Sequence, residues 1–153
     1  MCLKKNNKRE YKTPKNMELP LELKRGIGRI HFGMTIEEVE KFMGKASDIE
    51  QIDGTETKFT SILRYTDEGI TLFFEGESCL LVYIDISNED CTLWGEKIFF
   101  LQEVEIEDLM KKKGYKNFEK EEEDWGEKRI TFHQGNIDFF YENGELISIF
   151  FGA

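Results

Sequence analysis

One pattern of apolar and polar residues occurs twice in this chain. The segment GITLFFEGESCLLVYI at residues 69–84 returns as NIDFFYENGELISIFF at residues 136–151. In both segments two stretches rich in aromatic and β-branched residues flank a turn that contains glycine, which is the pattern of two antiparallel strands. The sequence therefore predicts a strand-rich unit that occurs twice, an organisation more typical of binding modules than of enzymes.

An amphipathic helix is predicted just upstream of the first copy, at residues 36–43. Thr35 and Glu38 have the spacing of a capping box, in which each side chain accepts a hydrogen bond from the other residue's backbone N–H. Gly44 stands where a helix commonly ends. The apolar stripe of this helix is formed by Ile36, Val39, Phe42 and Met43.

The same helix pattern returns at an offset of 70 residues, which superposes Ile36 on Ile106 and Gly44 on Gly114. Leu109 and Met110 complete the second stripe. Three strands are predicted after each helix and one short strand before it. The predicted strands cover residues 30–32, 61–65, 69–75 and 79–87 in the first half, and residues 97–101, 128–133, 136–141 and 145–151 in the second.

These elements predict an α+β fold of two tandem units, each a strand, a helix and three antiparallel strands, with the helix packed on one sheet face. The other face is left for water or a partner. We predict a flexible basic lead-in at residues 1–25, a first unit at 26–93 and a second unit at 94–153. The pattern leaves open whether the two units share one continuous sheet.

Charge narrows the choice of partner. The formal net charge is −10. Residues 1–25 hold eight Lys and Arg against three Asp and Glu, so residues 26–153 carry −15. Such a field repels phosphate backbones, which argues against nucleic acid and favours a basic protein partner. The alternative is that the charge serves solubility alone, as in many acidic bacterial cytosolic domains.

The residues of reactive sites are sparse. Cys2, Cys79 and Cys91 form no CxxC pair, and His31 and His133 lie far from them in sequence, so no local zinc pattern exists and no cofactor is predicted. No nucleophile elbow, phosphate loop or dinucleotide motif occurs either. We therefore predict that the protein is not an enzyme, and we interpret both histidines as structural strand residues.

The N-terminus and the apolar runs bear on localisation. No apolar stretch approaches the length of a membrane span, and the basic N-terminus lacks the apolar segment of a secretory signal. These features predict a cytoplasmic protein. Cys2 leaves an alternative open, a lipoprotein whose signal sequence was removed before that residue.

Tryptophan in acidic surroundings is the best clue to a binding surface. Trp94 lies between the two predicted units, and Trp125 lies in the acidic segment EKEEEDWGE, which reads as a turn. Tryptophan anchors protein interfaces, and nearby carboxylates steer a basic partner towards them. The candidate partner-binding residues are Trp94, Trp125, Glu121, Glu122, Glu123 and Asp124. The alternative is that the indoles cap sheet edges and that the carboxylates form a solvated loop.

The segment RIHFGMTIEEVEKFMGKASD at residues 29–48 resembles the sequence signature of the superfamily of β-lactamase inhibitor protein and the small outer-membrane assembly lipoproteins. The matching positions are Ile30, Gly33, Met34, Thr35, Glu38, Val39, Met43, Gly44 and Ala46. The resemblance implies helix-plus-antiparallel-sheet units, two in tandem in the inhibitor, and members that grip other proteins. The chain departs from the signature where LQEVEIE stands in the second half and where Ala46 replaces the usual proline.

Two functions follow from these observations. The first is a non-enzymatic inhibitor or immunity-type protein that neutralises a basic toxin domain in the cytoplasm. The second is a structural or assembly module that acts through self-association or a lipoprotein-like anchor. A third reading, a small-molecule-binding or enzymatic α+β domain, has no motif in its favour.

Overall fold

The computed structural model describes residues 18–52 and 59–153, which form thirteen strands and two α-helices. The strands are β1 (Leu19–Glu22), β2 (Gly26–Ile27), β3 (Ile30–His31), β4 (Asp48–Gln51), β5 (Phe59–Tyr65), β6 (Ile70–Glu75), β7 (Leu80–Ile86), β8 (Cys91–Leu93), β9 (Glu96–Lys97), β10 (Glu119–Glu122), β11 (Glu127–Phe132), β12 (Ile137–Glu142) and β13 (Glu145–Gly152). The helices are α1 (Ile36–Met43) and α2 (Glu103–Lys112), and short 3-10 turns cover Ile98–Phe100 and His133–Gly135. None of the helices in the described ranges combines the length and apolar character needed to cross a membrane.

Eight strands form one antiparallel sheet in the order β10-β11-β12-β13-β7-β6-β5-β4. The strands of each half run consecutively, and the two halves meet where β13 pairs with β7. At this junction Ile149 lies opposite Ile86 and Gly152 lies opposite Tyr83. The two halves therefore share one continuous sheet, which the sequence pattern left open.

The second sheet has five strands in the order β3-β2-β1-β8-β9. Its centre is a parallel pair in which Leu19 of β1 lies opposite Cys91 of β8 and Leu21 lies opposite Leu93. All four side chains are buried. β1 thus lies inside the segment 1–25 that was predicted as a lead-in, while residues 1–17 of that segment lie outside the described residues.

The predicted fold class of two tandem strand-helix-three-strand units is wrong. The protein is mostly β, with sheets of five and eight strands, and four consecutive strands of the large sheet follow each helix. The sequence pattern missed β1, β2 and β8 of the small sheet. It also missed β4 and β10 of the large sheet, whose sequences DIEQ and EKEE are exposed throughout. Sequence periodicity did not reveal them because an edge strand exposed on both faces needs no apolar alternation. Residues 97–101 were also predicted as a strand, but after Lys97 the chain turns into a 3-10 helix.

The capping box of α1 is confirmed. The Thr35 N–H donates to Glu38 Oε1 at 3.0 Å, and the Glu38 N–H donates to Thr35 Oγ1 at 3.2 Å. Val39 and Met43 are buried, while Phe42 is 40% exposed, so the buried stripe is narrower than predicted. The Arg29 guanidinium lies 4.8 Å from the centroid of the Phe42 ring, which gives this side chain a contact outside the core.

The second helix is also confirmed, although its N-terminal sequence differs from that of the first. Ile106 and Met110 are buried, as their spacing predicts. The Gln102 N–H donates to Glu105 Oε1 at 2.8 Å, so a glutamate at the third helical position satisfies the first free N–H in both helices. The segment LQEVEIE therefore begins a helix although it lacks the signature that residues 29–48 match.

A single apolar cluster joins both helices and both sheets. Members from the large sheet include Leu72 and Phe139, and members from the small sheet include Leu21 and Leu93. The helices contribute Val39, Met43, Ile106 and Met110. Only one face of the large sheet is used in this core, which leaves its opposite face as a second surface.

Candidate binding face

The large sheet alternates between buried residues on the core side and half-buried residues on the other side. We call the second side the open face. Its central residues are Thr71 and Phe73 of β6, Tyr83 and Asp85 of β7, Ser148 and Phe150 of β13, and Asp138 and Phe140 of β12. Because the described helices pack with the core side, the open face is the large surface that this sheet presents outward.

Aromatic rings lie at the middle of the open face. Phe150 stacks on Tyr83 with centroids 4.8 Å apart and an interplanar angle of 10°. Phe73 meets Phe150 edge-on, with centroids 5.5 Å apart. The paired aromatic runs of the sequence are thereby divided between the faces, because neighbours in a strand point to opposite sides. Phe74 and Phe151, the chain neighbours of Phe73 and Phe150, are fully buried in the core.

Two aspartates flank Phe150 at cross-strand positions, Asp85 on β7 and Asp138 on β12. Asp138 accepts a hydrogen bond from the Thr131 hydroxyl at 2.5 Å. The Asp85 carboxylate, in contrast, makes no hydrogen bond or ion pair with any residue in the described ranges, and desolvation by burial raises its pKa. A half-buried carboxylate without a partner costs folding free energy, so Asp85 destabilises the fold when no partner is bound.

A pocket of about 420 Å³ opens beside Asp85 on the second half of the sheet. It is lined by Asp85, Glu121, Glu123, Glu127, Lys128, Arg129, Phe140, Tyr141, Glu142, Ile147 and Ser148. Five of these residues carry carboxylates and two are basic. Lys128 Nζ lies 2.9 Å from Glu103 Oε1 on α2, and Arg129 pairs with Glu121. With both basic groups already paired, the pocket is acidic and has Phe140 as an aromatic wall.

Part of the predicted binding set lies at this pocket. Glu121 and Glu123 line it, whereas Glu122 and Asp124 are exposed and outside its lining. Trp125 belongs to the turn between β10 and β11 and is 67% exposed. The segment read as an acidic turn is therefore an edge strand, β10, with the turn confined to residues 123–126.

Trp94 lies elsewhere, in the turn between β8 and β9 of the small sheet. Its backbone φ is +50°, and its ring stacks on Tyr115 with centroids 6.0 Å apart. Lys113 Nζ lies 5.5 Å from the centroid of the same ring. Trp94 is 38% exposed. It thus combines local packing with an exposed edge, and it belongs to a different sheet from the acidic pocket.

Sequence inspection missed Asp85, Phe140 and Ser148 as residues of a candidate site. The signal that could have found Asp85 is a single carboxylate inside the apolar strand LLVYIDI. A charged residue that apolar neighbours half-bury costs stability, so it indicates either a paired group or a functional one. Phe140 and Ser148 carry no comparable signal, because nothing in the local pattern tells which face of the sheet stays uncovered.

Other reactive side chains form no site within the described ranges, where no three His, Cys, Asp or Glu residues are placed to hold a metal ion. Cys91 is buried, and burial raises the pKa of its thiol to about 12, which keeps it protonated and unreactive. Cys79 is half-buried. His133 is exposed, with Nε2 3.3 Å from Glu119 Oε1.

Comparison with known proteins identifies no family: no family model and no curated protein matches the chain. Among solved structures, the chain is similar to an extracellular protein containing an SCP domain from Bacillus anthracis str. Ames, with 13% sequence identity and a TM-score of 0.49. The match covers 93% of this chain and 46% of that one, so this chain spans less than half of that protein. This likeness carries no argument about fold or function. The resemblance to the superfamily of β-lactamase inhibitor protein stays a prediction.

Proposed function

We propose that the chain is a non-enzymatic protein-binding module, which engages a basic partner through the open face of the eight-stranded sheet and its acidic pocket. The observation that carries this proposal is the pocket itself. Its basic groups are paired, its carboxylates are in excess, and it adjoins a cluster of half-buried aromatic rings.

Such a surface has the composition of an interface. Aromatic side chains supply most of the binding free energy at interface centres, and carboxylates around them set the orientation of a cationic partner. The charge of −15 over residues 26–153 would accelerate association with that partner at low ionic strength. Binding should therefore weaken as salt is added.

An inhibitor or immunity-type role in the cytoplasm is the form of this function that the sequence favours. It is supported by the acidic charge and by the resemblance of residues 29–48 to a superfamily of protein-gripping folds.

The alternative, an assembly module, has less in its favour. Its simplest route would be edge-to-edge pairing of the large sheet, but both edge strands are exposed and charged. On β4, Asp48 and Glu50 hold Arg64 at 2.9 Å each, and β10 carries three glutamates. Charged edges are a common means by which proteins prevent strand addition, and like charges on two copies would repel.

The test is affinity capture with the full tagged chain from a lysate of the cells that produce it, at low and at moderate salt, with mass spectrometry of the retained proteins. The informative variant is Glu121→Lys with Glu123→Lys at the pocket. Its matched control is Asp48→Lys with Glu50→Lys, which makes the same charge change on the opposite edge strand of the same sheet. The pocket variant breaks the ion pair of Glu121 with Arg129, and the control variant breaks both ion pairs of Arg64, with Asp48 and with Glu50.

The proposal expects a basic protein that is retained at low salt, released as salt rises, lost with the pocket variant and kept with the control variant. A retained protein that both variants lose equally would reveal only the overall charge and would contradict a localised site. Retention of the bait alone, with a sharp dimer in sedimentation velocity, would overturn the proposal in favour of assembly.

A further inference from the structure

We propose that the acidic pocket receives one arginine side chain of a basic protein partner, and that Asp85 is the anion that pairs with its guanidinium. This inference rests on the proposed function, because it names the group that the open face recognises. It makes Asp85 the residue that determines specificity, in place of the more exposed glutamates that surround it.

Asp85 differs from the other carboxylates of the pocket in two ways. It is half-buried near the centre of the sheet, whereas Glu123, Glu127 and Glu142 are exposed at the strand ends and turns. Glu121 is paired with Arg129. An ion pair in a less hydrated position is stronger than one at the surface, so the carboxylate that gains most from an incoming cation is Asp85.

The nearby basic residues do not meet this need. Lys128 reaches Glu103 on α2, and Arg129 reaches Glu121 on β10, so both cations of the pocket lining are held by other acids. Within the described ranges Asp85 has no hydrogen bond or ion pair, and desolvation disfavours its charged form. A cation from a partner would form the ion pair with Asp85 that no residue of the described ranges provides.

The shape and lining favour arginine over lysine. The pocket has an aromatic wall in Phe140, and Phe150 lies opposite Asp85 across the strand pair. A guanidinium is planar and weakly hydrated, so it stacks on aromatic rings and pairs with a carboxylate at once, whereas a lysine ammonium remains strongly hydrated. The volume of about 420 Å³ is ample for one long side chain.

Charge also decides against the main competing occupant, an anionic group such as a phosphate. Carboxylates outnumber basic groups in the lining, and both basic groups are paired. An anion would have to displace Glu121 from Arg129 and would still face Asp85.

The experiment is an NMR titration of the full chain, with ¹⁵N label, using N-acetyl-L-arginine amide as the probe. The matched probe is N-acetyl-L-citrulline amide, which has nearly the same shape but no charge. The variants are Asp85→Asn and Asp138→Asn. The second is the matched control, since it makes the same change on the same face, at the other side of Phe150 and outside the pocket lining.

We expect the arginine probe to shift the backbone amides of Asp85, Phe140 and Ser148 in a saturable manner, and the citrulline probe to leave them unmoved. Asp85→Asn should weaken the apparent affinity by about fivefold or more, and Asp138→Asn by less than about twofold. Both variants retain the fold if their spectra keep the dispersion of the parent.

Three results would overturn the inference: no saturable shift at these amides, equal shifts with both probes, or equal losses in both variants. These results leave the proposed function to be judged by the capture experiment, because a basic partner lost with Glu121→Lys and Glu123→Lys could still bind without an arginine at Asp85. If instead the arginine probe binds at Asp85 but the pocket variant captures the same proteins as the parent chain, the arginine site is supported and the proposed protein-binding function is contradicted.

Discussion

The ring of Tyr83 lies directly over Gly152, at the junction where β7 of the first half pairs with β13 of the second. Any Cβ at residue 152 would overlap this ring and would approach Asn136 Nδ2 to 2.7 Å. The absence of a side chain at Gly152 thus lets Tyr83 stack on Phe150, so the aromatic centre of the open face depends on the strand pair that joins the two halves.

Gly152→Ala should therefore destabilise the fold by about 1–3 kcal/mol, because an added methyl in a filled site forces its neighbours to move. Urea unfolding followed by circular dichroism measures the loss. In a Tyr83→Ala background the same substitution should cost less, since the main obstacle is gone. An equal cost in both backgrounds would mean that the Tyr83 ring is not what the methyl meets.

Asp85→Asn should raise the free energy of unfolding at neutral pH. Burial raises the pKa of Asp85 in the folded state above its unfolded value, so the charged form is the one that the fold disfavours. The gain should be present above the folded pKa and should vanish as the pH falls below the ordinary aspartate value of about 4. Paired unfolding curves of parent and variant across this pH range test it, and a gain that persists in acid would contradict it.

Tyr141→Phe should leave stability unchanged or raise it by up to about 1 kcal/mol. The Tyr141 hydroxyl is buried and has no hydrogen-bond partner among the described residues. The equivalent position of the first half, 67 residues earlier, holds Phe74, which is fully buried. Calorimetric melting compares the two proteins, with Tyr65→Phe as the contrast, because the Tyr65 hydroxyl donates to the Gly44 carbonyl at 2.8 Å and its loss should destabilise.

Leu21→Ala should cost about 2–5 kcal/mol, since Leu21 is buried in the parallel pair of β1 with β8. This substitution tests whether β1 is part of the core or part of a dispensable lead-in. Leu80→Ala is the control, because Leu80 is 38% exposed at the start of β7. The unfolding midpoints of the two variants in denaturant test this prediction. Similar midpoints would mean that β1 is not part of the core.

Alanine substitutions of the two tryptophans should differ in their effects on stability and on partner binding. Trp125→Ala should change stability by less than about 0.5 kcal/mol, because the side chain is 67% exposed, yet it should weaken binding of a partner captured through the pocket. Trp94→Ala should destabilise more, since it removes the stacking on Tyr115 and the contact with Lys113. Binding and unfolding measured on the same preparations test this, and a binding loss confined to Trp94→Ala would move the interface to the small sheet.

The sequence by itself determined the elements whose stabilising interactions are local. Residues a few positions apart account for three features. These are the capping box at Thr35 and Glu38, the helical spacing of the buried Ile106 and Met110, and the hairpins of each half. Their physical causes are satisfied helix N–H groups, a 3.6-residue period and a two-residue period. These features are visible in any sequence that contains them.

Only the tertiary structure decided the pairings between distant residues. The parallel pairing of β1 with β8, the junction of β13 with β7, and the charged edges β4 and β10 depend on which strands lie side by side. The same holds for the candidate site: Glu121 and Glu123 were visible as carboxylates, but their place beside Asp85 and Phe140 was not. The sequence of a strand does not show which strands will lie beside it. The hydrogen bonds and side-chain contacts that hold a sheet together are made between distant segments of the chain.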